Sequence, residues 1–103
     1  MKERINVWFK ADYGTRPVII EIDNTLEALQ NLVGGYIETL TVFEDAALVF
    51  NEEGRLKGLP VNCRIFGIEL VGPIVLVGID GEDFTDVPDG AIRLLREFKG
   101  AIV

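Results

Sequence analysis

Along the chain the spacing of apolar residues changes period several times, and each change marks a new element. "RINVWFKA" alternates Arg4, Asn6, Trp8 and Lys10 with Ile5, Val7 and Phe9. That is the period of two of a half-buried strand, with the first set pointing outward. "DYGTR" then leads to "PVIIEI", a second strand, so the two form a hairpin. "IDNTLEALQNLVGGY" shifts to a helical period. Asp23, Asn24 or Thr25 caps a helix with Leu26, Leu29, Leu32 and Val33 along one face, and Gly34-Gly35 ends it in the left-handed conformation.

"YIETLTVF" and "AALVFN", joined by Glu44-Asp45, read as a second hairpin of β-branched and aromatic residues. After the polar stretch "NEEGRLKGLPVNCR", residues 51–64, "IFGIEL" and "PIVLVGI" supply one or two further strands. Asp80-Gly81 makes "DGEDF" a tight turn. "PDGAIRLLREF" fits a short helix started by Pro88, with Ile92, Leu95 and Phe98 inward. The pattern predicts an α+β fold: a mostly antiparallel sheet of five to six strands built from hairpins, with two short helices packed on one face.

A chain of 103 residues forms one core, so residues 1–103 are expected to be a single globular domain. Its mean hydropathy of +0.28 is high for that size. Apolar surface left over after the core is filled would be used between copies, which predicts a homo-oligomer. "LVGPIVLVGI", residues 70–79, is about half the length of a membrane-spanning helix and is broken by Gly72, Pro73 and Gly78, so it reads as a buried strand. "MKERINVWFK" has no long apolar core and no small-residue cleavage site, which predicts a cytoplasmic protein without membrane contact. The single cysteine, Cys63, excludes an internal disulfide and is expected to be a small buried residue.

Charge changes the picture further. The net charge is −7, which argues against direct binding to nucleic acid, because that affinity comes from Lys and Arg neutralising phosphates. The imbalance is uneven: residues 1–35 hold four basic and five acidic groups, whereas residues 36–103 hold six and twelve. The chain has no histidine and no serine, so it has no Ser-His triad, and Cys63 has no histidine to activate it. One cysteine cannot build a zinc or iron site, and no phosphate-binding glycine loop is present. No cofactor and no enzymatic activity are expected.

Carboxylates remain. Asp80, Glu82, Asp83, Asp86 and Asp89 form an acidic run that fails the EF-hand spacing, and it reads as a solvated turn and helix start or as a recognition surface, with no metal assigned. Glu52 and Glu53 are adjacent, which suits a type I turn from Asn51 to Gly54 better than a catalytic pair. Trp8 and Tyr13 offer rings for stacking, though an aromatic in a hairpin strand belongs more often to the core or an interface. In the polar stretch, Arg55, Lys57 and Arg64 flank "GLP", whose Gly58 and Leu59 amides would help hold an anion. Asn51 and Asn62 add amides for reading polar edges. The plain alternative is a surface loop with solubilising charges.

"NTLEALQNLVGGYIE", "NEEGRLKGLPVN" and "GIDGEDF", in this order over roughly residues 18–84, resemble a family of small proteins of unknown function from phages, plasmids and integrative elements of Firmicutes and gut bacteria. Arg55 stands where that family has Lys about as often, and Val61 where Pro is common; neither departure alters the charge logic. The resemblance implies context, not activity: a mobile-element product without enzymatic motifs, the profile of a counter-defence or host-takeover protein.

Two readings follow. In one, the protein inhibits a host defence protein through an acidic surface of Glu44, Glu52, Glu53, Asp80, Glu82, Asp83 and Asp86, occupying a nucleic-acid groove as a DNA mimic. In the other, a homo-oligomer sequesters a small anionic nucleotide signal with Asn51, Arg55, Lys57, Gly58, Asn62 and Arg64.

Overall fold

Ile74 to Gly78 is buried at every position, and that run organises the molecule. A computed structural model describes residues 2–97. The strands are β1 (Arg4–Lys10), β2 (Val18–Asp23), β3 (Ile37–Phe43), β4 (Ala46–Asn51), β5 (Val61–Ile65), β6 (Ile68–Val71), β7 (Ile74–Asp80) and β8 (Asp83–Thr85). The helices are α1 (Leu26–Val33) and α2 (Asp89–Glu97). Six strands form one antiparallel sheet in the order β2-β1-β7-β4-β3, with β8 on β7 beyond the end of β1, and β5-β6 is a separate hairpin. The fold is α+β with a mostly antiparallel sheet.

Residue alternation along β7 divides the core in two. Val75 and Val77 face α1 and pack with Val7, Val49, Leu29 and Val33. Ile74 and Leu76 face the other way, onto α2 and the β5-β6 hairpin, with Trp8, Leu48, Ile65, Leu70 and Leu95. The two helices therefore lie on opposite faces of the sheet, not on one as the pattern alone suggests. Each fully buried β7 side chain contributes about 1.5–3 kcal/mol, and such a strand needs cover on both sides.

The same double cover explains β1. Strict alternation places Trp8 and Lys10 outward, but both are buried, because α2 and the β5-β6 hairpin sit over that end of the strand. Arg4 and Asn6, at the other end, do stay exposed. Helix α1 forms as its local signals require. Thr25 caps it, its Oγ1 accepting from the Ala28 amide at 3.1 Å, and Gly34 at φ 80° supplies the left-handed stop. Leu29 and Val33 are buried, whereas Leu26 is 58% exposed. In α2, Ala91 and Leu95 are the buried positions and Ile92 is half-buried. Phe98, expected inward as well, lies outside the described residues.

Residues 61–64 are strand and not loop, since Cys63 and Ile65 pack into the core and pair across to β6. The connecting turn places Phe66 at φ 50° and Gly67 at φ 79°, the double left-handed geometry of a type I′ turn. An aromatic residue is unfavourable there, and the Phe66 ring contacts Phe43 edge-on at 5.7 Å. Gly81, at φ 64°, turns β7 into β8 as the Asp80-Gly81 pair predicts.

Gly78 meets a different constraint. A Cβ there would stand 2.0 Å from the Asp86 carbonyl oxygen, so the chain leaving β8 passes directly over it. Gly78→Ala is expected to destabilise the fold by about 3 kcal/mol, the upper end for overpacking. Thermal denaturation reads the effect, and an unchanged melting temperature would show that this crossing is not close.

Candidate functional site

Residues 51–60 fold into a compact turn held by their own backbone. The Gly54 amide donates to Asn51 O at 3.2 Å, closing the turn expected through "NEEG". The Gly58 and Leu59 amides, candidates for anion binding, donate to Arg55 O at 3.1 Å and Gly54 O at 2.9 Å. Both donors are spent inside the loop. Asn51 is buried, its Oδ1 accepting from the Glu53 amide at 2.8 Å and its Nδ2 donating to Val33 O at 3.2 Å, so it ties the loop to the end of α1.

The basic residues separate. Arg55 and Arg64 converge on Glu69 of β6: Arg55 donates to the Glu69 carbonyl at 2.9 Å and its guanidinium lies 3.4 Å from the carboxylate, while Arg64 approaches the other carboxylate oxygen at 3.6 Å. Lys57 turns away to the C-terminal end of α1, where its Nζ would be 3.3 Å from a Cβ on Gly35. The negative end of the helix dipole favours a cation at that place.

Asn62 faces inward from β5 and is 1% exposed. Its Nδ2 donates to Lys10 O at 2.9 Å and Gly72 O at 2.8 Å, and its Oδ1 accepts from Lys10 Nζ at 2.9 Å. The buried Lys10 ammonium also donates to Asp12 O at 2.6 Å and Tyr13 O at 3.4 Å. Three oxygens around three donors compensate the buried charge. Asn62 and Lys10 thus lock β1, the loop after it and the hairpin together. Nothing local in the sequence signals a contact between residues 52 positions apart. Beside it, Cys63 is buried and free; burial pushes its thiol pKa up, and the nearby Lys10 charge offsets this only in part.

The acidic residues divide as well. Glu44 and Asp45 form the β3-β4 turn, and Asp80, Glu82 and Asp83 surround the β7-β8 turn. Pairing of Ala46 with Gly78, and the Ile79 amide donating to Asp45 O at 2.8 Å, bring these turns to one end of the sheet. All five residues are exposed, and among the described residues none forms an ion pair. Asp45 is absent from the sequence-based set, although the dipeptide it completes was the signal. Glu52 and Glu53 lie past the opposite end of β4, about 20 Å away at 3.3 Å per residue. Among the described residues no group of three acidic, Cys or His side chains is placed to hold a metal ion.

Asp86 has a structural task. It accepts from Lys2 and, at 2.8 Å, from the Asn6 amide, and these two bonds lower its pKa. Of the aromatics weighed for stacking, Trp8 is in the core and Tyr13 is 76% exposed.

A family profile described as "Domain of unknown function (DUF3846)" matches residues 7–99. The chain belongs to this family. No curated protein and no solved structure matches it. The DUF3846 match spans every strand and both helices of this chain except the first residues of β1.

Two expectations test these assignments. Asn62→Ala leaves the Lys10 ammonium and two carbonyls short of partners and is expected to cost about 2–4 kcal/mol, read by urea denaturation. Equal stability of wild type and variant would remove Asn62 from the lock. Asp86→Asn keeps an acceptor for the Asn6 amide and loses the charge. Because the native pKa is lowered, wild-type Asp86 stabilises the fold above the ordinary aspartate range of the unfolded chain and loses that contribution as pH falls through the native value. The wild-type advantage in melting temperature should therefore be full at pH 7 and vanish in strong acid; a gap that does not depend on pH would contradict this role.

Proposed function

We propose that the chain is a non-enzymatic binding protein of phage or mobile-element origin, acting in the cytoplasm of a bacterial host as an inhibitor of a defence protein. It presents the acidic end of the sheet to a basic, nucleic-acid-binding face and competes there with the nucleic acid. One observation carries this reading: Glu44, Asp45, Asp80, Glu82 and Asp83 gather from two turns at a single end, all exposed and without an ion-pair partner among the described residues. Two tight hairpin turns carry these carboxylates on neighbouring backbone positions, and like charges concentrated there in a chain of net −7 steer a cationic partner.

Glu52, Glu53 and Asp86 leave this surface, the first two by distance and the third through its bonds to Lys2 and Asn6. The alternative, a sponge for a nucleotide signal at the 51–64 segment, draws less support. Its expected donors at Gly58, Asn51 and Asn62 serve the fold, and Arg55 and Arg64 share a carboxylate.

Affinity capture from host lysate on immobilised protein tests the proposal. A nucleic-acid-binding defence protein should be retained at low salt, released when the Debye length falls to about 3 Å near 1 M salt, and lost on Glu82→Lys with Asp83→Lys. Retention unaffected by both salt and charge reversal would overturn the acidic end as the binding surface.

A further inference from the structure

The two edges of the main sheet are protected unequally. β3 carries a bulge between Thr41 and Phe43 and the polar residues Glu38, Thr39 and Thr41, devices that discourage strand addition. β2 pairs with β1 over six consecutive residues without a bulge and has neither lysine nor proline within it. Its outer row of amides and carbonyls has no strand partner among the described residues. Apolar side chains occupy both faces: Val18, Ile20 and Ile22 stand opposite Phe9, Val7 and Ile5 on the α1 side, and Ile19 stands opposite Trp8 on the α2 side. Val18 and Ile19 are each 50% exposed.

Beside Ile19 a groove of about 370 Å³ runs between β2 and α2, floored by Trp8, Ile92 and Leu95 and rimmed by Arg16 and Arg96. Past Ile19 and Ile92 the cleft continues with mixed charge, bordered by Arg93 together with Asp89 and Glu97. None of the three arginines has an ion-pair partner among the described residues. The groove itself is lined by two arginines and no carboxylate over an apolar floor, and it calls for an occupant with apolar and acidic side chains in alternation.

β2 itself has that pattern, in Ile20, Glu21, Ile22 and Asp23. We propose that β2 is the interface between two copies of this chain, paired antiparallel about a twofold axis through Ile20 and joining two six-stranded sheets edge to edge. Such an axis, normal to the sheet, keeps side chains on their own face. Ile20 then meets Ile20 and Val18 meets Ile22 on the α1 side. On the α2 side Glu21 of the second copy stands against Ile19, at the arginine-rimmed groove. Neighbouring registers are worse. An axis through Ile19 sets Arg16 against Ile22, and one through Glu21 opposes two like charges. Glu21 is available, because its bond to Arg4 joins two exposed side chains.

Light scattering on the full chain should give twice 11.4 kDa at high micromolar concentration. Directly opposed Cα atoms lie about 4.5–5.5 Å apart, within the roughly 4.4–6.8 Å a disulfide spans. Ile20→Cys should therefore give a covalent dimer on mild oxidation. Ile19→Cys, which faces Glu21, should give little, and Cys63 is buried and contributes none in either variant. Ile19→Glu sets a second carboxylate directly against Glu21 of the other copy and should yield a monomer with an unchanged circular dichroism spectrum. A monomeric wild type, equal cross-linking at both positions, or a folded Ile19→Glu that remains dimeric would each overturn the proposal. If Ile19→Glu does not fold, the cysteine pair decides alone. None of the five carboxylates of the acidic end lies on β2, so a monomeric Ile19→Glu should still capture its partner, and the two readings fail separately.

Discussion

Burial of β7 on both faces is the constraint from which the rest of the architecture follows. A strand that is apolar at consecutive positions cannot leave either side wet, so one helix is required above the sheet and other cover below it. α1 supplies the first. On the second face α2 packs only beside Trp8 and Leu76, and the β5-β6 hairpin completes that layer with Cys63, Ile65 and Leu70. The hairpin is thus part of the core and not an ornament on a loop. Its tip accepts an unfavourable backbone conformation at Phe66 in a place where the ring can rest on Phe43.

Strand pairing around β7 also determines what the surface can do. With β1 on one side and β4 on the other, the turns at the end of β4-β7 come together and their carboxylates become one surface. The polar segment that looks most chemical in the sequence becomes instead a joint between β4, α1 and β5. Its polarity is consumed by the bonds that let a chain change direction over a dry core. Polar residues in a connection serve recognition only when the backbone does not need them first.

How legible this was depends on range. The Gly34 stop, the Glu44-Asp45 hairpin and the Asp80-Gly81 turn are written in adjacent residues and are found where the sequence places them, and the cap falls on Thr25, one of the three candidates Asp23, Asn24 and Thr25. The inward faces of Trp8 and Lys10 were not legible, since alternation assumes one wet face and the cover of the other comes from segments at least 50 residues away. Asn62 falls near the end of the polar stretch 51–64 and reads as loop; β5 and the bonds to Lys10 and Gly72 place it in a buried strand position. The convergence of the two acidic turns depends on the β4-β7 register, which neither turn encodes. The arginines along the β2 groove are scattered singly at positions 16, 93 and 96 and form no motif until α2 packs beside β2.

The buried Lys10 ammonium draws its acceptors from both its own following loop and a distant strand. Loops joining hairpin strands usually drift in length among relatives, because insertions there cost little. This one is different despite its exposure. Adding or removing a residue next to Asp12 or Tyr13 would shift a carbonyl off the ammonium and leave a buried cation short of a partner. The connection between β1 and β2 should therefore keep its length through evolutionary divergence, while its outward side chains remain free to vary.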